Sequence, residues 1–471
     1  MIRFNGRRLH RLRPFLFLAA LAAGLRADAA GQTEDPAVTA QRGKQLLANG
    51  RFAEAAAVYD SLARVFPDNP GLKMNLGMAL HMAGRDLEAV PPLEAALKSD
   101  PSLFPAALFL GGSLLKLGEP ARAVRPLERA VSVDPGSPKA WHVLGACYEA
   151  LAQQSFERLE KLAPESPWVL VLAGDRLARR GRLRDAFPLF RRAVTARPGL
   201  RGVRGALADI YRETGHPDWA AREEETERAI PPPDCRASRL ECLFRDGNYR
   251  EVLAVSRAAA VAEELYWRTR AANELAADAL ARLEQLPPSI ERHQAAALTA
   301  RARNRHREAV DSWKAALEFA PGDVGIRKEL ALSLHQSKDH AAAAALALEL
   351  LRLEPNSAEL NFMAGDSLAN DQRAEPATHY LKKALAANPK LLAAHAALAR
   401  AYLKTGQAAL AVPHLKLALP VDDDGSLHFQ LSRAYQSGGQ DGPARQMLAK
   451  YQELRKKSEL SRTEEPEITP P

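Results

Sequence analysis

Twelve histidines, three cysteines and 57 acidic residues supply this chain of 471 residues with groups that can do chemistry, but not at the spacings chemistry needs. There is no H-E-x-x-H pair to put two imidazoles on one helix face, no close cluster of histidine and cysteine, and no alternating acidic loop that ends in glutamate. No G-x-x-x-x-G-K-[ST] loop is present to cradle a phosphate, and neither G-x-S-x-G nor the kinase signature set occurs. Glu223-Glu224-Glu225 reads as solvated charge on a polar helix face, with no apolar pocket to raise a pKa. Two arginine-rich clusters, Arg176 to Arg192 and Arg301 to Arg307, read as solvated helix faces rather than phosphate-binding stripes. Cys147 lies in an apolar helical run and reads as a small buried hydrophobe. Cys235 and Cys242, seven residues apart after Pro231-Pro232-Pro233, are compatible both with a disulfide and with two free thiols. These residues predict no catalytic group, no cofactor and no metal, so the chain is read as not an enzyme.

The elements that must position these side chains repeat. Pro67, Pro101 and Pro135 are 34 residues apart, as are Pro164, Pro198 and Pro232, and then Pro321, Pro355 and Pro389. A small residue recurs 24 positions before each proline (Gly43, Gly77, Gly111, Gly174, Ala208, Ala297, Ala331, Gly365) and an alanine 12 before it (Ala55, Ala89, Ala123, Ala186, Ala220, Ala309, Ala343, Ala377). Apolar residues between them, such as Leu76, Leu80 and Leu93, fall at helical spacing. Each unit therefore reads as two short antiparallel helices joined near a glycine, such as Gly84 or Gly118, that can take a positive φ.

The strongest unit carries Trp141, Leu144, Gly145, Tyr148, Ala152, Phe156 and Pro164, which resembles the tetratricopeptide-repeat pattern W-x2-L-G-x2-Y, A-x3-F, P. The resemblance covers about residues 36 to 458, in roughly thirteen units. It implies an all-α fold, a right-handed superhelical solenoid of helix-turn-helix units. One departure stands out: Tyr148 and Ala152 are 4 residues apart where other units have 9, so that unit lacks its inter-helix turn. Glu274 to Pro288 is shortened in the same way, matching Glu149 to Pro164 at an offset near 124, which suggests an internal duplication and two irregular bends.

Before the repeats, five arginines from Arg3 to Arg13 precede an apolar run, Phe15 to Leu25, and Ala27-Asp28-Ala29 fits an A-x-A cleavage site. This predicts a secretory signal and an exported protein, periplasmic or secreted, with no integral membrane span after signal removal, since the run is about half the ~20 residues a span requires. Residues 1–29 hold six of the 65 basic residues and one of the 57 acidic ones, so the formal charge falls from +8 to 59 − 56 = +3. That balance predicts no nucleic-acid partner. The expected organisation is a signal at 1–29, a linker at 30–35, an N-terminal array at 36–234, degenerate helical repeats at 235–289, a C-terminal array at 290–458 and a disordered tail at 459–471.

The resemblance implies a non-catalytic scaffold of the cell envelope that holds a peptide or helix of a protein partner in a concave groove. The alternative is an accessory subunit of an envelope enzyme or of polysaccharide or secretion machinery. Groove positions carried over from the family fall on Met74, Met78 and His81, Leu108 and Leu115, His142, and Trp168 and Val171. In the later units they fall on Lys328 and His335, Phe362 and Asp366, Arg400, and Phe429 and Arg433. The groove is thus expected to be apolar near its start and charged near its end.

Overall fold

In the computed structural model, residues 35–463 and 467–471 are described. The expected signal, and the linker up to residue 34, lie outside the described residues. The first array is α1 (Pro36–Ala48), α2 (Phe52–Val65), α3 (Pro70–Met82), α4 (Asp86–Ser99), α5 (Phe104–Lys116) and α6 (Pro120–Val133). Local signals start and stop these helices. At the head of α3, the Asn69 side chain accepts from Leu72 N–H and Pro70 takes the first turn, where its missing N–H costs nothing. Gly84 and Gly118, with φ of +75° and +76°, reverse the chain inside successive pairs. Gly111 lets α5 and α6 touch: a Cβ placed there would lie 2.3 Å from Leu127 Cγ.

The period then breaks. Helix α7 (Pro138–Leu162) runs straight through the position where a turn belongs. It is followed by α8 (Pro167–Arg179), α9 (Leu183–Ala196), α10 (Val203–Glu213), α11 (Pro217–Ala229), and two short helices, α12 (Arg239–Arg245) and α13 (Tyr249–Val255). A second long helix, α14 (Ala262–Gln285), comes next. Its first residue is 262 − 138 = 124 positions after the first residue of α7, the offset of the expected duplication. The two long helices do more than bend a solenoid: they pack on each other along their lengths. Gly145, early in α7, faces Ala276, Ala279 and Leu280, late in α14, so the pair runs antiparallel. Arg158 at the end of α7 donates to the Ala259 carbonyl just before α14, at 3.0 Å. Residues 163–261 therefore leave and return as a middle array, held between the two long helices.

The last array is α15 (Ile290–Ala302), α16 (His306–Phe319), α17 (Val324–Gln336), α18 (His340–Leu350), α19 (Ala358–Asn370), α20 (Ala374–Ala387), α21 (Leu392–Lys404), α22 (Ala408–Ala418), α23 (Ser426–Ser437) and α24 (Asp441–Thr463). Helix α15 stacks on α7 as well as on α16, so the third array continues from the junction of the long pair. Among the described residues there is no strand and no helix long and apolar enough to cross a membrane. One apolar core runs from Ala55 to Ala276, and three smaller ones follow it along the last array, as expected where each hairpin buries its face only on its neighbours.

One alternative left open by the sequence is settled, and two expectations need correction. Cys235 and Cys242 are bonded as a disulfide, closing the loop after the triple proline. The region expected as a disordered tail differs: α24 extends to Thr463, and Ile468 packs against the first core. Glu223 is not solvated; it is 1 % exposed and accepts from Arg204 at 2.7 Å, with Arg191 at 3.8 Å. Its charge is tolerated because α10 and α9 each turn a guanidinium onto it.

Candidate functional site

Where the long pair meets α8 and α15, the four helices enclose a cleft of about 610 Å³. Helical spacing brings its residues to one place. On α7, His142, Ala146, Glu149, Gln153 and Phe156 recur every three or four residues and form one stripe. On α14 the stripe is Thr269, Asn273, Ala276 and Leu280; Asn273, Ala276 and Leu280 are the 124-residue counterparts of Glu149, Ala152 and Phe156. Helix α8 contributes Leu172, Arg176 and Arg179, with Arg180 just past its end, and α15 contributes Ala295, Leu298, Thr299 and Ala302, with Arg303 just past its end. The two arginine-rich clusters, more than a hundred residues apart in sequence, thus converge on one cleft.

Its electrostatics are one-sided. Burial pushes the Glu149 carboxyl above the usual carboxylate range. Burial also lowers the pKa of His142, against a smaller opposing influence from Glu291, so the floor tends toward neutrality. Arg176 lies over the Phe156 ring at 5.3 Å, and Arg179 donates to the Asp175 carbonyl at 3.4 Å. Among the described residues, none of Arg176, Arg179, Arg180 and Arg303 forms an ion pair with a carboxylate. Four planar, permanently charged donors over an apolar floor suit carboxylates presented on a peptide or helix, which each guanidinium can grip through two N–H groups. Among the described residues no group of three or more His, Cys, Asp or Glu is arranged to hold a metal ion.

The expected groove residues divide. His142 lines the cleft. Trp168 and Val171 do not form an open wall: both are buried, and Trp168 packs 4.6 Å from Tyr266 with Arg197 over its other neighbourhood at 4.5 Å. The reason is α14, which lies against α8 and covers the face a regular solenoid would leave open. Leu108 is likewise buried in the first core, while Met74 and the half-buried Leu115 pack against that core from outside. Met78 is half-buried on the same helix. His81 is pinned by Asp86 at 2.6 Å and Ser113 at 2.8 Å.

In the last array the charged positions neutralise one another. Asp366 is buried and bridges three hairpins, to His335 at 2.9 Å and to Arg400 at 2.6 Å. Burial works to raise the Asp366 pKa, but the His335 hydrogen bond and the Arg400 charge outweigh it and hold the carboxyl below its ordinary range. Lys328 pairs with Glu354 at 2.5 Å, and the Phe362 ring lies edge-on to His335 at 5.8 Å. Phe429 is exposed but rests on Tyr451, and Arg433 is exposed. The arginines of the cleft were visible in the sequence as clusters; what identified them as a site is the pairing of the two fused helices.

Tetratricopeptide repeat profiles match residues 41–103, 150–201 and 295–358, and a second such profile matches 104–147. No protein of curated function matches the chain. Among solved structures, MamA from Desulfovibrio magneticus RS-1 is 21 % identical over 43 % of this chain and 100 % of its own, with a TM-score of 0.24. The P58(IPK) TPR domain is 15 % identical over 79 % of this chain and 99 % of its own, with a TM-score of 0.24. One chain of the APC/C hetero-tetramer Cut9–Hcn1 is 14 % identical over 89 % of this chain and 94 % of its own, with a TM-score of 0.33. Repeated helical hairpins of the matching pattern, held together by small-against-large contacts such as Gly111 on Leu127, make this chain a member of the tetratricopeptide-repeat family.

Proposed function

We propose that this protein is an exported, non-catalytic scaffold that holds an acidic segment of a partner protein in the cleft between α7, α8, α14 and α15. The observation that carries the reading is the convergence of Arg176, Arg179, Arg180 and Arg303, none in a contact ion pair among the described residues, above Phe156, Leu172, Leu280 and Leu298. Tetratricopeptide repeats serve protein–protein interaction, and the apolar floor with a basic rim matches an extended or helical segment that alternates acidic and apolar side chains. Export is supported by the arginine-rich start, the apolar run Phe15 to Leu25 and Ala27-Asp28-Ala29. The Cys235–Cys242 disulfide also suits an oxidising compartment.

Affinity capture from the envelope fraction tests both parts. The wild-type chain should recover its partner and lose it progressively with salt, whereas Arg176→Glu with Arg303→Glu should lower recovery at least about tenfold by reversing two of the four charges. The double variant should stay folded and melt only slightly below the wild type, because neither arginine is ion-paired and what is lost is the Arg176 contact with the Phe156 ring, worth about 0.5–1 kcal/mol. Recovery unchanged by the double substitution would remove the cleft from the proposal. Recovered protein still carrying residues 1–29 in the cytosol would remove export.

A further inference from the structure

The middle array has an open end. Helix α11 packs on α10, but the next hairpin, α12 with α13, packs chiefly on α14. At that end Tyr211 of α10 is fully buried between Phe187 at 5.7 Å and Trp219 at 5.6 Å, and His216 stacks on Trp219 at 4.0 Å. The Tyr211 hydroxyl donates to the carbonyl of Thr469 at 2.7 Å, across 258 residues of sequence. Ile468, half-buried, packs on the core to which Tyr211 belongs.

The chemistry of the incoming segment fits such a place. Thr469 precedes a proline and is therefore held extended, and Pro470 and Pro471 fix their own φ. A segment so stiffened loses little conformational freedom on docking. Pro470 and Pro471 stay exposed and act by stiffening the segment, while its contacts are made by the Ile468 side chain and by the Thr469 carbonyl, which accepts from the buried Tyr211 hydroxyl. One apolar side chain, Ile468, supplies the anchor.

We propose that the Phe187, Tyr211 and Trp219 cluster is a docking site for an extended, proline-stiffened segment, and that its occupant is this chain's own residues 467–471. The docked segment acts as a latch: it covers the open end of the middle array and ties the region beyond α24 to it. The site is separate from the arginine-lined cleft, and neither reading depends on the other.

The test uses a fluorescent peptide of residues 467–471, joined to its dye through a Gly-Ser spacer, and two proteins: the full chain and a variant lacking 467–471. Anisotropy should show the peptide bound by the shortened variant at least about tenfold more tightly than by the full chain, whose tethered segment competes at roughly millimolar effective concentration. Tyr211→Phe in the shortened variant should weaken binding roughly fivefold, the worth of one hydrogen bond. Ile468→Asp in the peptide, which cannot disturb the protein's folding, should abolish measurable binding. Arg176→Glu with Arg303→Glu should leave peptide binding unchanged, so this test and that of the cleft fail separately. Absence of binding to the shortened variant, equal binding to both proteins, or indifference to Ile468→Asp would each overturn the latch. So would a full chain that self-associates with concentration and stops when 467–471 are removed, since the occupant would then be a second copy.

Discussion

The first array and the junction of the long helices use the same small residue in the same repeat position for different ends. In the first array Gly111 sits against its own hairpin partner, and an added Cβ would fall 2.3 Å from Leu127 Cγ. In the next unit, Gly145 occupies the equivalent position of the best-matching repeat, yet an added Cβ would come no nearer than 3.6 Å to Ala279 Cβ, with the Ala276 carbonyl and Leu280 Cγ at 4.0 Å, in a helix more than a hundred residues away. Electrostatics divide the same way. Arginines in the regular pairs bond within their own turn, as Arg51 to Glu54, Arg85 to Glu88 and Arg182 to Asp185 do, whereas none of the four at the junction makes a contact ion pair with a carboxylate among the described residues. Regular repeats satisfy themselves; where the period breaks, side chains are released for something else.

Alanine at the two glycines should separate these regions most sharply. Gly111→Ala must push α5 from α6 at a cost of about 1–3 kcal/mol, because Leu127 is enclosed and backs onto core. Gly145→Ala meets ordinary contact distances and gains helix propensity, so it should be neutral or stabilising by up to about 1 kcal/mol. Denaturant midpoints of the two variants moving in the same direction would show that both glycines face equivalent partners.

Acid should act at the junction next. Burial holds His142 below its ordinary pKa, so the unfolded chain binds its proton first as pH falls. Between the unfolded value near 6.5 and the lower folded value the unfolded state carries more protons, and stability therefore declines as pH drops through this window. His81 and His414 are lowered by burial too, so the melting temperature should fall between pH 7 and pH 5, and His142→Gln should fall less. A His142→Gln curve parallel to the wild type would mean the cleft floor is not dry.

The smallest effect belongs to the regular repeats. At the 34-residue turn position the last array has Asn304, Lys338 and Gln372 where Gly406 follows, and Lys338 is forced to a φ of +64°. Lys338→Gly should raise stability by about 0.5–1 kcal/mol by relieving left-handed backbone strain. Thermal denaturation showing a loss would place the strain elsewhere.

How much of this could be read in advance follows from range. Hairpins, their turns and the close glycine contacts are set within one 34-residue unit, so prolines, alanines and small residues reveal them. The duplicated fused helices were also visible, in the shortened spacing from Tyr148 to Ala152 and the matching Glu274 to Pro288. Groove positions were less legible, since Trp168 and Val171 follow the family's register but are buried, Trp168 against Tyr266 and Trp267 of α14.

Local spacing is enough to specify the all-α repeat architecture, because each hairpin forms within one unit and buries its face on an adjacent copy. The pairing of α7 with α14, the sharing of one cleft by two arginine clusters and the return of Thr469 to Tyr211 are set by long-range packing. Those contacts join surfaces a hundred or more residues apart, and a periodic sequence offers every unit as a partner of similar shape. Which copy is met depends on the direction in which two long helices, lacking their turns, send the chain.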